Sequence, residues 1–172
     1  MNRAFQIFLF VSVMLVAGVG GYLLSAPPRP GAVDTEPMLE ASLPDLSGVS
    51  RQIGHWKGKV LVVNFWATWC PPCLEEIPHF VRLQERFGDQ GLQFVGIAID
   101  EVDKVRAFAR KYAINYPIMI GQADAIELSR TAGNKAGGLP YTLILDRSGE
   151  VVSQHYGGLD ERTLMPIFEK LL

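Results

Sequence analysis

The chain contains 172 residues, of which 16 are basic and 18 acidic, so its formal net charge is −2. A chain of this length fits one domain with an appendage, and it can bury a core without cross-links. The balanced charge argues against nucleic acid as a partner, because a broad cationic surface is needed to contact phosphates.

Apolar residues dominate the N-terminus, where residues 5–24 carry no charge and follow Arg3. About twenty helical residues span the roughly 30 Å core of a bilayer, and a preceding basic residue favours a cytoplasmic N-terminus. The pattern predicts a single transmembrane helix as a membrane anchor over residues 1–28, with a cleaved signal peptide as the alternative. The proline-rich residues 29–40 are typical of a linker. Either form of the N-terminus would export the remaining chain.

Strands and helices alternate from residue 41 onwards, which predicts one α/β domain over residues 41–172. Turn residues among scattered apolar side chains predict a short hairpin or cap within residues 41–58. A continuous β-branched run such as 60–65 is typical of a strand buried on both faces. The further predicted strands are 92–99, 118–120, 141–145 and 151–156, and the predicted helices are 71–87, 103–112, 124–131 and 159–172. We expect a sheet that is parallel in its first part and antiparallel at its end.

The only two cysteines, Cys70 and Cys73, lie where the first long strand meets a helix. A zinc site normally takes four ligands, and a disulfide that closes so short a loop stabilises a fold only weakly. We therefore interpret the pair as a redox-active dithiol that needs no metal or bound cofactor. The macrodipole at the start of the helix is expected to lower the pKa of the Cys70 thiol and to make it the nucleophile. Cys73 lies one turn further along, where it can resolve a mixed disulfide.

A helical wheel places Glu76 at the border of the apolar face that carries both cysteines. A partly buried carboxyl group has a raised pKa and can exchange protons near neutral pH. The sequence therefore makes Glu76 a candidate acid–base residue, and an ordinary surface glutamate is the open alternative.

The stretch from Val62 to Cys73, VVNFWATWCPPC, resembles the active-site sequence of the thioredoxin superfamily. More narrowly, it resembles the membrane-anchored TlpA/ResA-like thiol-disulfide oxidoreductases, and the resemblance covers about residues 41–172. It implies a thioredoxin-like fold with an N-terminal hairpin and an inserted strand–helix. It also implies a cis peptide at Leu139–Pro140 in a loop that faces the cysteines. Asn64 stands where cytoplasmic thioredoxins carry a buried aspartate, and an amide cannot accept a proton.

By the same resemblance, Glu76 matches a glutamate of the TlpA/ResA-like branch and joins Cys70 and Cys73 as a catalytic residue. Leu139 and Pro140 are then expected to contact the substrate, together with Trp69, which adjoins Cys70. Trp66 is expected to pack in the core.

The resemblance further implies an enzyme of the cytoplasmic membrane with its catalytic domain on the periplasmic, extracytoplasmic side. Its clients would be exported proteins with disulfides, of the kind handled in cytochrome c maturation or copper-site assembly. A membrane thiol-disulfide relay would supply electrons, and we expect the enzyme to be a monomer. Three alternatives stay open: an oxidant that uses the same residues, a copper-delivery module with Cu(I) held by two thiolates, and a peroxidase.

Overall fold

The computed structural model of the chain describes Met14 and residues 33–172. The predicted anchor over 1–28 lies, apart from Met14, outside these described residues, as does the first part of the predicted linker. None of the helices in the described part of the chain has both the length and the apolar character that a membrane crossing requires.

The described domain begins with helix α1 (Glu36–Glu40), which leads into a hairpin of strands β1 (Ser42–Pro44) and β2 (Ser50–Gln52). These two strands pair antiparallel, and a turn of 3-10 helix at Ile53–Trp56 follows. The hairpin predicted between residues 41 and 58 is therefore present.

Helix α1 corrects the predicted linker, because residues 33–40 belong to the folded unit. The side chains of Met38 and Leu39 are buried in the core. The Thr35 hydroxyl donates a hydrogen bond to the Gly149 carbonyl oxygen at 2.9 Å, which ties this segment to a distant turn. Proline-rich composition concealed the helix, yet Pro37 lies in the first turn, where a missing N–H costs no hydrogen bond.

A five-stranded sheet forms the centre of the domain. Its strands and the remaining helices are, in chain order, β3 (Val60–Trp66), α2 (Pro71–Phe87), β4 (Leu92–Ile99), α3 (Val102–Lys111), β5 (Ile118–Gly121), α4 (Ala123–Thr131), β6 (Tyr141–Leu145), β7 (Val151–Tyr156) and α5 (Glu161–Leu171). The strand order is β5-β4-β3-β6-β7. Strands β3, β4 and β5 are parallel, whereas β6 runs antiparallel to β3 and β7 antiparallel to β6. The predicted change from parallel to antiparallel pairing is confirmed.

Strand β3 shows how the sheet divides the core, because all seven of its residues are buried. Leu61, Val63 and Phe65 pack on one face, against side chains of α1 and the hairpin. Val60 and Val62 pack on the other face, against side chains of α2 and α5. Burial on both faces explains why this strand reads as a continuous apolar run.

A third apolar cluster lies at the carboxyl ends of β3 and β4 and contains both cysteines, Trp66 and Ala98. The indole of Trp66 is fully buried, as expected, and its ring centroid lies 5.2 Å from that of Phe108. Gly96 of β4 makes room for it, since a Cβ at that position would lie 2.9 Å from the Trp66 Nε1. The first turns of α2 pack into this cluster through Cys73 and Ile77.

Candidate active site

Cys70 and Cys73 form a disulfide at the start of α2, where Cys70 is the residue that caps the helix. Cys70 retains 4% of its surface exposed, whereas Cys73 is fully buried. An attacking sulfur can therefore reach only Cys70. The roles of Cys70 as nucleophile and Cys73 as the resolving residue stay predictions.

The first turn of α2 offers few hydrogen-bond donors to a Cys70 thiolate. Pro71 and Pro72 occupy its first positions and have no N–H group. The N–H groups of Cys73 and Leu74 both donate to the Cys70 carbonyl oxygen, at 3.0 and 3.2 Å. The helix macrodipole remains as the main influence that favours the thiolate.

Asp100 holds the short connection between β3 and α2, a role that the sequence reasoning missed. Its Oδ2 accepts hydrogen bonds from the Thr68 backbone N–H at 3.1 Å and from the Thr68 hydroxyl. Burial alone would raise the pKa of this carboxyl, but the bonds from Thr68 and from the Glu101 N–H lower it below the usual value. The signal lay in the sequence, because Asp100 and Thr68 both follow adjacent parallel strands, whose carboxyl ends meet at one edge.

Glu76 of α2 is the buried carboxyl group of the site, with 1% of its surface exposed. The sequence predicted only partial burial, because a helical wheel cannot show that the loop before α5 covers this position. Its Oε2 accepts a hydrogen bond from the Leu159 N–H at 3.0 Å, and its Oε1 accepts one from the Asn64 amide at 2.7 Å. Burial raises the pKa of Glu76 to about 8, although both hydrogen bonds act to lower it.

Asn64 links this carboxyl group to the sheet. Its Nδ2 donates to Glu76 and also to the Thr142 hydroxyl, at 2.9 Å, so one amide joins β3, α2 and β6. In the described part of the chain, the Asn64 Oδ1 has no hydrogen-bond partner. The Asn64 amide cannot accept a proton, but its hydrogen bond orients the Glu76 carboxyl group, which can.

An apolar groove of about 390 Å³ opens beside Cys70. Its walls include Trp69, Ile99 from the end of β4, Ile126 from α4 and Leu139 from the loop before β6. None of the residues that line it is charged. Trp69 is 66% exposed, so its ring forms an outer wall rather than part of the core. The sequence predicted Trp69 and Leu139 for this surface but gave no indication of Ile99 or Ile126.

The peptide bond between Leu139 and Pro140 is cis, as the family resemblance implied. The Pro140 carbonyl oxygen accepts a hydrogen bond from the Gly157 N–H at 3.0 Å, which joins this loop to the end of β7. Among residues 33–172, the N–H and C=O of Leu139 form no hydrogen bond. This residue can therefore pair with an extended chain laid along the groove.

Comparison with known proteins agrees with this geometry. Residues 35–167 match the AhpC/TSA family. The thiol-disulfide oxidoreductase ResA of Halalkalibacterium halodurans is 31% identical over 128 residues, which are 74% of this chain and 70% of that protein. The thioredoxin-like protein YneN of Bacillus subtilis is 34% identical over 127 residues, or 72% of this chain and 71% of that protein.

Among solved structures, a thiol:disulfide interchange protein of the thioredoxin family from Chlorobium tepidum superimposes with a TM-score of 0.71 and 30% identity. The match covers 85% of this chain and 99% of that one. The thioredoxin-like fold expected from the sequence is confirmed. The chain thus belongs to the AhpC/TSA family of thioredoxin-like proteins, and it is a thiol-disulfide oxidoreductase similar to ResA, with Cys70 and Cys73 as its disulfide pair.

Proposed function

We propose that this enzyme reduces disulfides in exported client proteins on the extracytoplasmic side of the cytoplasmic membrane. The observation that carries the proposal is the position of Cys70, the one sulfur of the pair with an exposed surface. It opens into an uncharged groove beside Leu139, whose N–H and C=O have no hydrogen-bond partner within residues 33–172. A client fits this groove as an extended segment that places an apolar side chain next to its own cysteine.

The reaction begins with the reduced enzyme. The Cys70 thiolate attacks one sulfur of the client disulfide, forms a mixed disulfide and releases the second client sulfur as a thiolate. Cys73 then loses its proton and attacks the Cys70 sulfur. This step releases the client as a dithiol and leaves the Cys70–Cys73 disulfide, so two electrons pass from enzyme to client.

In this proposal, Glu76 exchanges the proton that Cys73 loses. The two residues are three positions apart on α2 and therefore lie on the same face of the helix. With a pKa of about 8, Glu76 exists near neutral pH in both protonation states. A group of this kind can accept a proton during resolution and return it to solvent or to the client afterwards.

The site stabilises a thiolate only weakly, and this supports the proposed direction of electron transfer. A disulfide enzyme becomes a strong oxidant when its reduced form is stabilised. Here two prolines remove N–H donors from the first turn, and the groove beside Cys70 has no charged lining residue. Weak stabilisation of the Cys70 thiolate supports a reductant over the opposite direction, in which the enzyme would form disulfides in its clients.

The proposed location rests on the sequence before the domain. The uncharged run 5–24 behind Arg3 is typical of an anchor that leaves the following domain outside the cytoplasm. An oxidising compartment would return the dithiol to a disulfide, so a reductant there needs a supply of electrons. We infer that a membrane thiol-disulfide relay fills this need and that the clients are of the cytochrome c or copper-site assembly type.

Trapping of clients tests the proposal. A Cys73→Ser variant forms the mixed disulfide through Cys70 but cannot resolve it, so covalent adducts with exported proteins should accumulate. Non-reducing electrophoresis followed by mass spectrometry identifies them. The matched control is Cys70→Ser, which should trap none. Absence of adducts from Cys73→Ser, or equal amounts from both variants, would contradict the proposal.

A further inference from the structure

The loop between α4 and β6 contains a buried amide side chain that takes no part in the thiol chemistry. Asn134 is fully buried, although it lies in a connection at the edge of the domain. Its Nδ2 donates a hydrogen bond to the Gly138 carbonyl oxygen at 2.9 Å, and its backbone carbonyl oxygen accepts one from the Gly137 N–H at 2.9 Å. The side chain and backbone of Asn134 therefore bind the two consecutive glycines that precede Leu139.

The neighbouring groups fix the orientation of this amide. The Ser129 hydroxyl donates its only proton to the Ile126 carbonyl oxygen at 2.8 Å, so it can only accept a hydrogen bond from Asn134. That contact is 3.4 Å long, and the Gly138 carbonyl is likewise an acceptor. Because the Ser129 hydroxyl and the Gly138 carbonyl are both acceptors, the amide must turn its Nδ2 toward them. The Asn134 Oδ1 has no partner within residues 33–172, and rotation of the amide would place it against two acceptors.

The segment that Asn134 holds is intrinsically flexible. Gly137 has a φ of +65°, and a Cβ at Gly138 would meet no atom within 4 Å. Two successive glycines permit many backbone conformations, although a Cβ at Gly137 would meet the Arg130 guanidinium at 3.5 Å. The hydrogen bonds to Asn134 therefore restrict the conformation of the peptide before Leu139.

We propose that Asn134 is a positioning residue for client binding. It turns the Gly138 carbonyl oxygen into the domain and thereby leaves the N–H and C=O of Leu139 open to the backbone of a client. This inference rests on the proposed function, since it assigns Asn134 to the docking of the same extended client segment. Asn134 touches neither sulfur, so its effect should be confined to substrates that dock through their backbone.

Two variants test the role. Asn134→Asp keeps the shape but presents an acceptor to the Gly138 carbonyl oxygen, and Asn134→Ala removes the donor without adding a charge. If the buried carboxylate of Asn134→Asp prevents folding, Asn134→Ala alone provides the test. The matched control is Asn115→Asp, because the Asn115 amide also donates to a backbone carbonyl, that of Val81 at 3.0 Å, but does not line the groove.

The measurement compares two oxidised substrates of the reduced full-length protein in single turnover. One is a peptide whose intramolecular disulfide is flanked by leucine, and the other is a small aromatic disulfide that offers no backbone. For the peptide, we expect the half-saturating concentration to rise about tenfold in both variants, as for the loss of a hydrogen bond or two. The rate with the small disulfide, the reduction potential and the control should stay at wild-type values.

Two results would overturn the positioning role while leaving the proposed function intact. One is a folded Asn134→Ala protein that reacts with the peptide as the wild type does. The other is an equal loss of rate with both substrates, which indicates a general structural defect. If the wild-type protein itself fails to reduce the peptide, the proposed function falls and this inference falls with it.

Discussion

The carboxyl group of Glu76 is subject to two opposing influences. Burial disfavours its charge, whereas the N–H groups of Asn64 and Leu159 stabilise it. Burial outweighs the hydrogen bonds, so the carboxyl holds its proton up to about pH 8. A buried acid with this pKa is suited to a reaction in which thiols repeatedly lose and regain protons.

Replacement of Glu76 by glutamine should remove this titration from catalysis. In the wild type, the rate at which Cys73 resolves a mixed disulfide should rise through a group with a pKa of about 8. Glu76→Gln should lose that inflection and resolve at least about tenfold more slowly near neutral pH. Single-turnover kinetics from about pH 5 to pH 10 measure both effects.

The control for this experiment is Glu75→Gln, which changes the exposed neighbour of Glu76 on the same helix. It should keep the wild-type profile. An unchanged profile in Glu76→Gln as well would remove Glu76 from the mechanism.

The same pKa links folding stability to pH. Between about pH 4.5 and pH 8, the native Glu76 keeps a proton that the unfolded chain has lost. Its contribution to stability is therefore complete below that range and is lost as pH rises through about 8. As the pH rises across this range, the wild type should lose on the order of a few kcal/mol of unfolding free energy relative to Glu76→Gln. Urea unfolding of the two oxidised proteins at both ends of the range measures the difference, and a pH-independent difference would contradict it.

Residue patterns located the cysteines and the position of Glu76, because they lie in a short motif and on one helix face, whereas the cis-proline loop was expected only from the family resemblance. The two adjacent parallel strands could have indicated Asp100, but Ile126 could not be located, because its position in the groove depends on which elements meet in three dimensions. Composition did not identify Asn134 either, since a single asparagine in a glycine-rich loop is typical of an exposed turn. Its burial becomes apparent only when α4 and the loop pack together.

At the scale of elements, the strand–helix insertion of β5 and α4 supplies one wall of the client groove. Ile126 on α4 lines the groove together with Trp69 and Leu139. Ser129 in the last turns of the same helix contacts Asn134, which binds the loop that leads to Leu139. The insertion therefore carries Ile126 of the groove and also contacts the loop whose Leu139 backbone is expected to pair with the client.

Loss of this apolar wall should weaken client binding without altering the disulfide. Ile126→Ser should raise the half-saturating concentration of an apolar disulfide peptide about tenfold, because the lost side chain no longer shields the client from water. Its exposed neighbour provides the control, Glu127→Ser, which should leave the value unchanged. If Ile126→Ser has the wild-type half-saturating concentration for the peptide, the client does not bind against Ile126.

The elements themselves were predictable to different degrees. The run Val60–Trp66 indicates its strand directly because it is buried on both faces. The helix Glu36–Glu40 was missed because five residues give almost no periodicity, and because prolines around it suggested an extended linker. Tertiary contacts of Met38 and Leu39 stabilise it, and a local pattern does not contain that information.

For the whole molecule, the proposed function requires electrons to flow from the membrane through Cys70 and Cys73 to an exported client. This direction depends on a disulfide that is stable relative to the dithiol. Pro71 and Pro72 supply no N–H to a thiolate, and residues that line the groove carry no charge. Both features favour a low reduction potential.

The reduction potential of the Cys70–Cys73 couple tests this account most directly. Full-length protein in detergent is equilibrated with a series of dithiothreitol redox buffers, and the free thiols are counted after alkylation. We expect a value near the roughly −270 mV of thioredoxin, which suits a reductant. A value near the roughly −120 mV of DsbA would contradict the proposed direction and identify the enzyme as an oxidant of its clients.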